Sequence, residues 1–208
     1  IGLPAVQTAK RLEDYSIAAA DALLCPSRYL ARQVESHHGL TKNTAWIIPY
    51  PLGDGVMLER DKDTWEYGTI CYVGRLERRK GVLEWIDAAV AVAREYPAVR
   101  FEFVGANILG TAMMSGEEFI NRRIPDDLKM RFIFHGQQKR SSLPQFLSRT
   151  RMAVVPSRWE NFPNTCIETM CSGLPAILSP EGGMAEMIKD GQTGWLAANA
   201  RSDGLAEA

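Results

Sequence analysis

From Gly68 onward, short apolar runs alternate with longer stretches that are apolar on one side only. Thr69–Val73 is uninterrupted enough to read as a buried strand, and Val82–Tyr96 carries apolar residues at helical spacing until Pro97 stops it. The alternation then repeats. Arg100–Val104 is a strand ending at Gly105, and Ala106–Pro125 is a long excursion with one short helix at Gly116–Arg123. Arg131–Phe134 is a strand, Ser142–Thr150 a helix and Met152–Val155 a strand. A helix follows from about Asn164, ended by Gly173 and Pro175, then a strand at Pro175–Leu178. Gly182-Gly183 precedes a helix at Met184–Lys189, and Gly194–Ala197 is a last short strand. Strands alternating with helices predict an α/β fold built on a doubly wound parallel sheet. In that architecture ligands bind beyond the carboxyl ends of the strands, which is where the loops carrying charged and polar residues would open.

The first fifty residues follow the same grammar on a smaller scale. Asp14–Ala22 reads as a helix, Ala22–Pro26 as a strand, Ser27 as the cap of a helix reaching about His38, and Ala45–Pro49 as another strand. Such a segment is too short for a core of its own. Pro51, Gly53 and Gly55 with a charged run then give a linker composition. We therefore expect residues 1–53 to be the remnant of one domain, 54–66 a hinge, and 67–208 a ligand-binding domain. The chain does not begin with Met, and it starts and stops inside helical patterns, so a longer protein is expected.

Composition narrows the function classes. The net charge is -1, so no overall field attracts nucleic acid, and any phosphate site must come from local placement. The four cysteines form no C-x-x-C pair, so neither a zinc site nor a disulfide framework is expected, and a reducing cytoplasm fits. No apolar run approaches the roughly 20 residues of a membrane span.

Candidate chemistry concentrates in a few loops. G-R-L-E-R-R-K-G at 74–81 offers Arg75 and Lys80 as a clamp for a diphosphate, or else a solvated charged turn. Glu160 and Glu168 lie on either side of a helix start, and Asn161, Phe162, Pro163, Asn164 and Thr165 between them supply backbone donors at its positive end. Glu168, a turn inside the helix, suits a diol such as ribose hydroxyls, and Glu160 on the loop lies nearer a sugar. The plainer alternative is a capping carboxylate and a surface glutamate. His135 could line a nucleotide pocket or be a satisfied strand-end histidine, and the amides of Gln137 and Gln138 could meet a base edge. Tyr96, Trp85 and Phe101 read as core. No G-x-G-x-x-G follows a strand and no Walker loop is present, which disfavours nicotinamide dehydrogenases and P-loop ATPases.

Together these residues resemble retaining glycosyltransferases of the GT-B fold. E-N-F-P-N-T-C-I-E at 160–168 resembles their E-x7-E motif, and G-R-L-E-R-R-K-G their G-R-x4-K-G loop. F-V-G at 103–105, F-H-G at 134–136, V-V-P-S at 154–157, C-S-G-L-P-A-I at 171–177 and D-G-Q-T-G-W-L at 190–196 fall in the family's order. The hinge reads P-Y-P-L-G-D where the family usually has P-N-G-V-D. The resemblance implies a Rossmann-like carboxyl-terminal half that binds the nucleotide-sugar donor and transfers its sugar with retention of configuration, needing no metal or other cofactor. Arg75 and Lys80 would hold the diphosphate, and Glu160 would contact the sugar. Asn161 to Thr165 would hold sugar or phosphate, Glu168 would bind ribose, and Gly74, Gly105 and His135 to Gln138 with Gly136 would border the nucleotide. The acceptor would be a glycan, lipid or small molecule. The missing amino-terminal domain would bind it, and peripheral membrane contact would run through that half. The chain alone would bind donor weakly without turnover. A nucleotide-sugar 2-epimerase shares the architecture but gives no reason for the two motifs together. A non-catalytic nucleotide-sugar-binding domain is the other alternative.

Overall fold

In the computed structural model, residues 3–51, 63 and 68–208 are described here. They fall in two compact units, residues 1–50 and 51–208. The expected hinge at 54–66 lies outside the described residues apart from position 63.

The first unit holds helix α1 (Leu3–Ala19), strand β1 (Leu24–Cys25), helix α2 (Arg28–His37) and strand β2 (Trp46–Ile47). The Ser27 hydroxyl accepts from the Leu30 amide and so caps α2 as its sequence predicts. The strands are shorter than their apolar runs, and they pair in parallel. Their small core is Cys25, Ala31 and Ala45. The buried Glu35 carboxylate accepts from the Ala45 amide at 3.0 Å, and backbone donors hold its pKa below the usual range. Helix α1 runs well upstream of the expected Asp14 start.

The second unit is a six-stranded, all-parallel sheet in the order β5-β4-β3-β6-β7-β8. Its strands are β3 (Thr69–Val73), β4 (Arg100–Val104), β5 (Phe132–Phe134), β6 (Met152–Val155), β7 (Ala176–Leu178) and β8 (Gly194–Leu196). The helices are α3 (Val82–Glu95), α4 (Gly116–Asn121), α5 (Leu143–Ser148), α6 (Asn164–Cys171) and α7 (Ser202–Glu207). Both sheet faces are covered, which is why the strands read as apolar runs rather than as alternation. On one face Trp85 of α3, Phe101, Phe103 and Leu205 of α7 are almost completely buried, and Phe101 stacks on Phe132 at 4.9 Å between ring centroids. Each large apolar side chain buried in this way contributes on the order of 1.5–3 kcal/mol. Val155, Cys166, Ala176, Leu178, Met184 and Ile188 form a second cluster beneath α6. Met184–Glu186 makes only one turn of 3-10 helix instead of the expected helix to Lys189. Tyr96 is half exposed where core was expected, because it stands just past the end of α3. Among the described residues no helix is long and apolar enough to cross a membrane.

The strand order places the site. From β3 the chain moves outward through β4 to β5, then returns to the other side of β3 for β6, β7 and β8. The reversal leaves a crevice at the carboxyl ends of β3 and β6, the position where parallel sheets of this kind bind ligands.

Candidate nucleotide-binding site

Gly74 and Gly105 directly follow β3 and β4, and Gly136 follows β5 by two residues, so the backbones stay paired past the sheet. The Gly74 amide donates to Val104 O and the Gly105 amide to Gly136 O, each at 2.9 Å. A Cβ on Gly105 would stand 1.9 Å from the Gly74 carbonyl oxygen, so only glycine allows these backbones to approach. The result is a floor of bare backbone at the edge of the crevice.

The loops after β3 and β6 meet across it. The Arg158 amide donates to Arg79 O at 2.9 Å, and Gly81 lies so close beneath the second loop that a Cβ would reach 1.8 Å from Pro156 O. Residues 78–80 form a turn of 3-10 helix, which aims Arg79 and Lys80 at the facing loop. Both donate to the same oxygen, Glu160 Oε1, Arg79 from Nη1 at 2.8 Å and Lys80 from Nζ. Arg79 also donates to Trp159 O at 3.3 Å and to Glu77 Oε1 at 3.3 Å. The Glu160 backbone is fixed by the Gly183 amide, which donates to Glu160 O at 2.8 Å.

Arg75 sits differently. Its Nη2 donates to Glu77 Oε1 at 3.1 Å, and its side chain is 57% exposed against 20% for Lys80. Arg75 thus joins the network through Glu77 rather than by touching Glu160. The Tyr72 hydroxyl donates to Arg75 O at 2.7 Å and fixes the loop's entry. Burial raises the pKa of that phenol, with Glu77 and Glu160 adding to the effect, so it stays a neutral donor. Arg75, Arg79 and Lys80 face Glu77 and Glu160, which leaves one net positive charge in a half-buried crevice. That suits an anion.

Helix α6 begins beside this network. Pro163 occupies its cap position with no side-chain cap, and the Cys166 and Ile167 amides both turn back to Pro163 O. The Asn164 and Thr165 N–H groups stand outside the helix's own bonding pattern, as first-turn donors must. Pro163 is buried, Asn161, Phe162 and Thr165 are half-buried and Asn164 is exposed. Among the described residues the Asn161 Oδ1 atom is buried without a hydrogen-bond partner, an acceptor left open within the E-x7-E stretch. Glu168 lies one turn into α6 and accepts from Arg140 Nε at 3.0 Å.

His135 takes the satisfied strand-end position. Its Nε2 lies 2.8 Å from Glu102 Oε2, its ring packs on Phe146, and Arg149 reaches the same carboxylate at 3.5 Å. Gln138 donates its amide back to His135 O at 2.7 Å, while Gln137 and Gly136 are exposed. The structure therefore brings Lys80, Glu160 and the start of α6 together, links Arg75 indirectly, and pairs Glu168 separately. Arg79 and Arg140 are the additions that sequence reasoning missed. Arg79 lies in the basic loop already singled out, but spacing gives no sign of which of four cations turns inward. Glu102 is a third, a carboxylate between the two buried phenylalanines of β4.

A parallel sheet with a cationic crevice at its reversal point has the Rossmann-like fold of the carboxyl-terminal domain of GT-B glycosyltransferases. The chain belongs to the family of group 1 glycosyl transferases, which it matches over residues 59–208. Among curated relatives, it is 29% identical over 149 residues to the Vi polysaccharide biosynthesis protein VipC/TviE of Salmonella typhi, covering 72% of this chain and 24% of that protein. It is 32% identical over 139 residues to glycogen synthase of Mycobacterium tuberculosis, covering 67% and 32% respectively. Among solved structures, Anabaena Alr3699/HepE in complex with UDP and glucose superposes with a TM-score of 0.78 at 20% identity, over 97% of this chain and 56% of that one. Sucrose-phosphate synthase of Thermosynechococcus elongatus superposes with a TM-score of 0.73 at 24% identity, over 97% and 51%. The chain thus spans about half, or less, of the length of these proteins.

Proposed function

We propose that this chain is the donor-binding half of a retaining glycosyltransferase that uses a nucleotide-diphosphate sugar. The observation that carries the reading is the convergence of Arg79 and Lys80 on Glu160 across the reversal point. Without ligand, the cations are held by a carboxylate. A diphosphate entering the crevice brings more negative charge than Glu160 alone and draws Lys80 onto itself, with Arg75 as a second cation. Glu160 is then released toward the sugar, and the first-turn amides of α6 and the Asn161 oxygen complete a polar cradle. As the glycosidic bond breaks, charge builds on the leaving diphosphate, where Lys80 stabilises it without a metal ion. Solved structures of Alr3699/HepE with UDP and with UDP-glucose support a nucleotide-sugar donor for a protein of this fold. The acceptor-binding groups belong to the remaining half, and we expect no steady turnover from residues 1–208 alone.

Calorimetric titration with UDP, GDP and ADP tests the donor site. One of the three is expected to bind, and Lys80→Ala to weaken it at least tenfold, since a charge-assisted bond to phosphate is worth about 1.5–3 kcal/mol. Unchanged affinity in Lys80→Ala would remove the clamp from the mechanism. Retention is tested separately, by the anomeric configuration of the product from a full-length enzyme in proton NMR.

A further inference from the structure

The contact between Arg140 and Glu168 is not part of the cation network around Glu160. Arg140 opens the short 3-10 turn 140–142 that follows the exposed residues after β5, and Glu168 sits on α6, so their contact ties two elements that flank the crevice on different sides of the sheet order. The two side chains are unequal. Arg140 is 78% exposed and Glu168 only 22%. An exposed ion pair of this kind adds little to folding stability, so its consequence lies in what it does to the carboxylate. Arg140 donates from Nε to a single oxygen, Oε1. A carboxylate oxygen has two lone pairs, so the contact leaves Oε1 able to accept once more and leaves Oε2 outside it.

We propose that Arg140 is a positioning residue for recognition of the nucleotide's ribose diol. This rests on the reading of Glu168 as the ribose carboxylate. A vicinal diol donates two O–H bonds and needs both carboxylate oxygens turned toward it at once. On a helix surface a glutamate samples several χ settings, and each setting aims the oxygens differently. The guanidinium fixes one of them by holding Oε1, which sets the direction of Oε2 as well. Arg140 itself touches no reacting atom. Its effect is to make a 2′,3′-diol bind better than a ribose lacking one hydroxyl.

The test compares, by calorimetry on the full chain, the nucleotide that binds among UDP, GDP and ADP with its 2′-deoxy counterpart. Wild-type protein is expected to prefer the ribonucleotide, and Glu168→Gln to lose that preference. Arg140→Ala is expected to lower the preference about threefold or more, Arg140→Lys to restore part of it, and Arg140→Ala to change nothing further in the Glu168→Gln background. An unchanged preference in Arg140→Ala, with Glu168→Gln still losing it, overturns the inference and leaves the ribose reading intact. Tighter nucleotide binding in Arg140→Ala overturns it too, since the pair would then be a competitor for the site. A preference that survives Glu168→Gln sinks the ribose reading itself. Urea denaturation of each variant should match wild type, as expected for an exposed arginine.

Discussion

Gly81 shows how a residue without chemistry controls one with it. It has φ 67°, and a Cβ there would meet Pro156 O at 1.8 Å, so Gly81→Ala must push apart the loops that bring Lys80 to Glu160. We expect a loss of more than about 1 kcal/mol in urea denaturation, with nucleotide affinity falling alongside it. Stability lost with affinity retained would mean that the loops adjust independently. The sequence makes such a glycine visible, because G-R-x4-K-G marks the loop. It does not make Arg79 visible, since four cations in the six residues 75–80 look alike until a backbone turn aims two of them. Arg140 was equally hidden, as its partner lies 28 positions away. Tyr96 misled for a local reason, being the first residue beyond a helix whose apolar stripe has ended.

At the scale of elements, the strands of the large sheet were legible because burial on both faces leaves mostly apolar residues. The ends were less so. The expected strands run one residue beyond the observed ones at Arg131 and at Ala197, although the Ala197 amide still donates to Leu178 O at 2.9 Å. One arginine governs the end of α3. Arg131 donates from Nε to Val99 O at 2.8 Å and from Nη1 to Ala93 O at 2.6 Å, with Nη2 reaching Tyr96 O and Val99 O. It thus satisfies carbonyls that a helix terminus leaves open and adds positive charge where the dipole is negative. Arg131→Ala should cost about 2–3 kcal/mol in urea denaturation, since several charge-assisted bonds are lost at once. Arg131→Lys should recover only part, because one ammonium cannot span three carbonyls. A change under 0.5 kcal/mol, the size of an ordinary surface substitution, would show that water replaces the clamp.

For the molecule as a whole, the parallel sheet and its reversal were readable from the order of runs and loops, and the glycosyl transferase family from several short motifs in sequence. What neither showed was how the interior ties down its ionisable groups. Burial pushes the thiols of Cys71 and Cys166 up to about 12 from an ordinary 9.0, with Glu102 adding to the shift at Cys71. The folded state therefore keeps both thiols neutral after the unfolded chain has begun to ionise. Their contribution is complete below about pH 9 and is lost as pH rises from there toward 12, at up to about 1.4 kcal/mol per pH unit for each thiol. Urea midpoints should be level from pH 7 to 8.5 and fall above pH 9, and Cys166→Ala should reduce the slope. A midpoint that stays flat to pH 10.5 would contradict this.

Glu102 has one more consequence, which concerns the chain before it folds. R-F-E-F-V at 100–104 would otherwise set two phenylalanines and a valine behind a single terminal arginine, in a segment able to stack on copies of itself. A carboxylate in its centre places like charges one above another in any such stack, and in the native sheet the same carboxylate is matched by His135 and Arg149. The residue that anchors the turn after β5 is thus also a gatekeeper against fibrous self-association of β4.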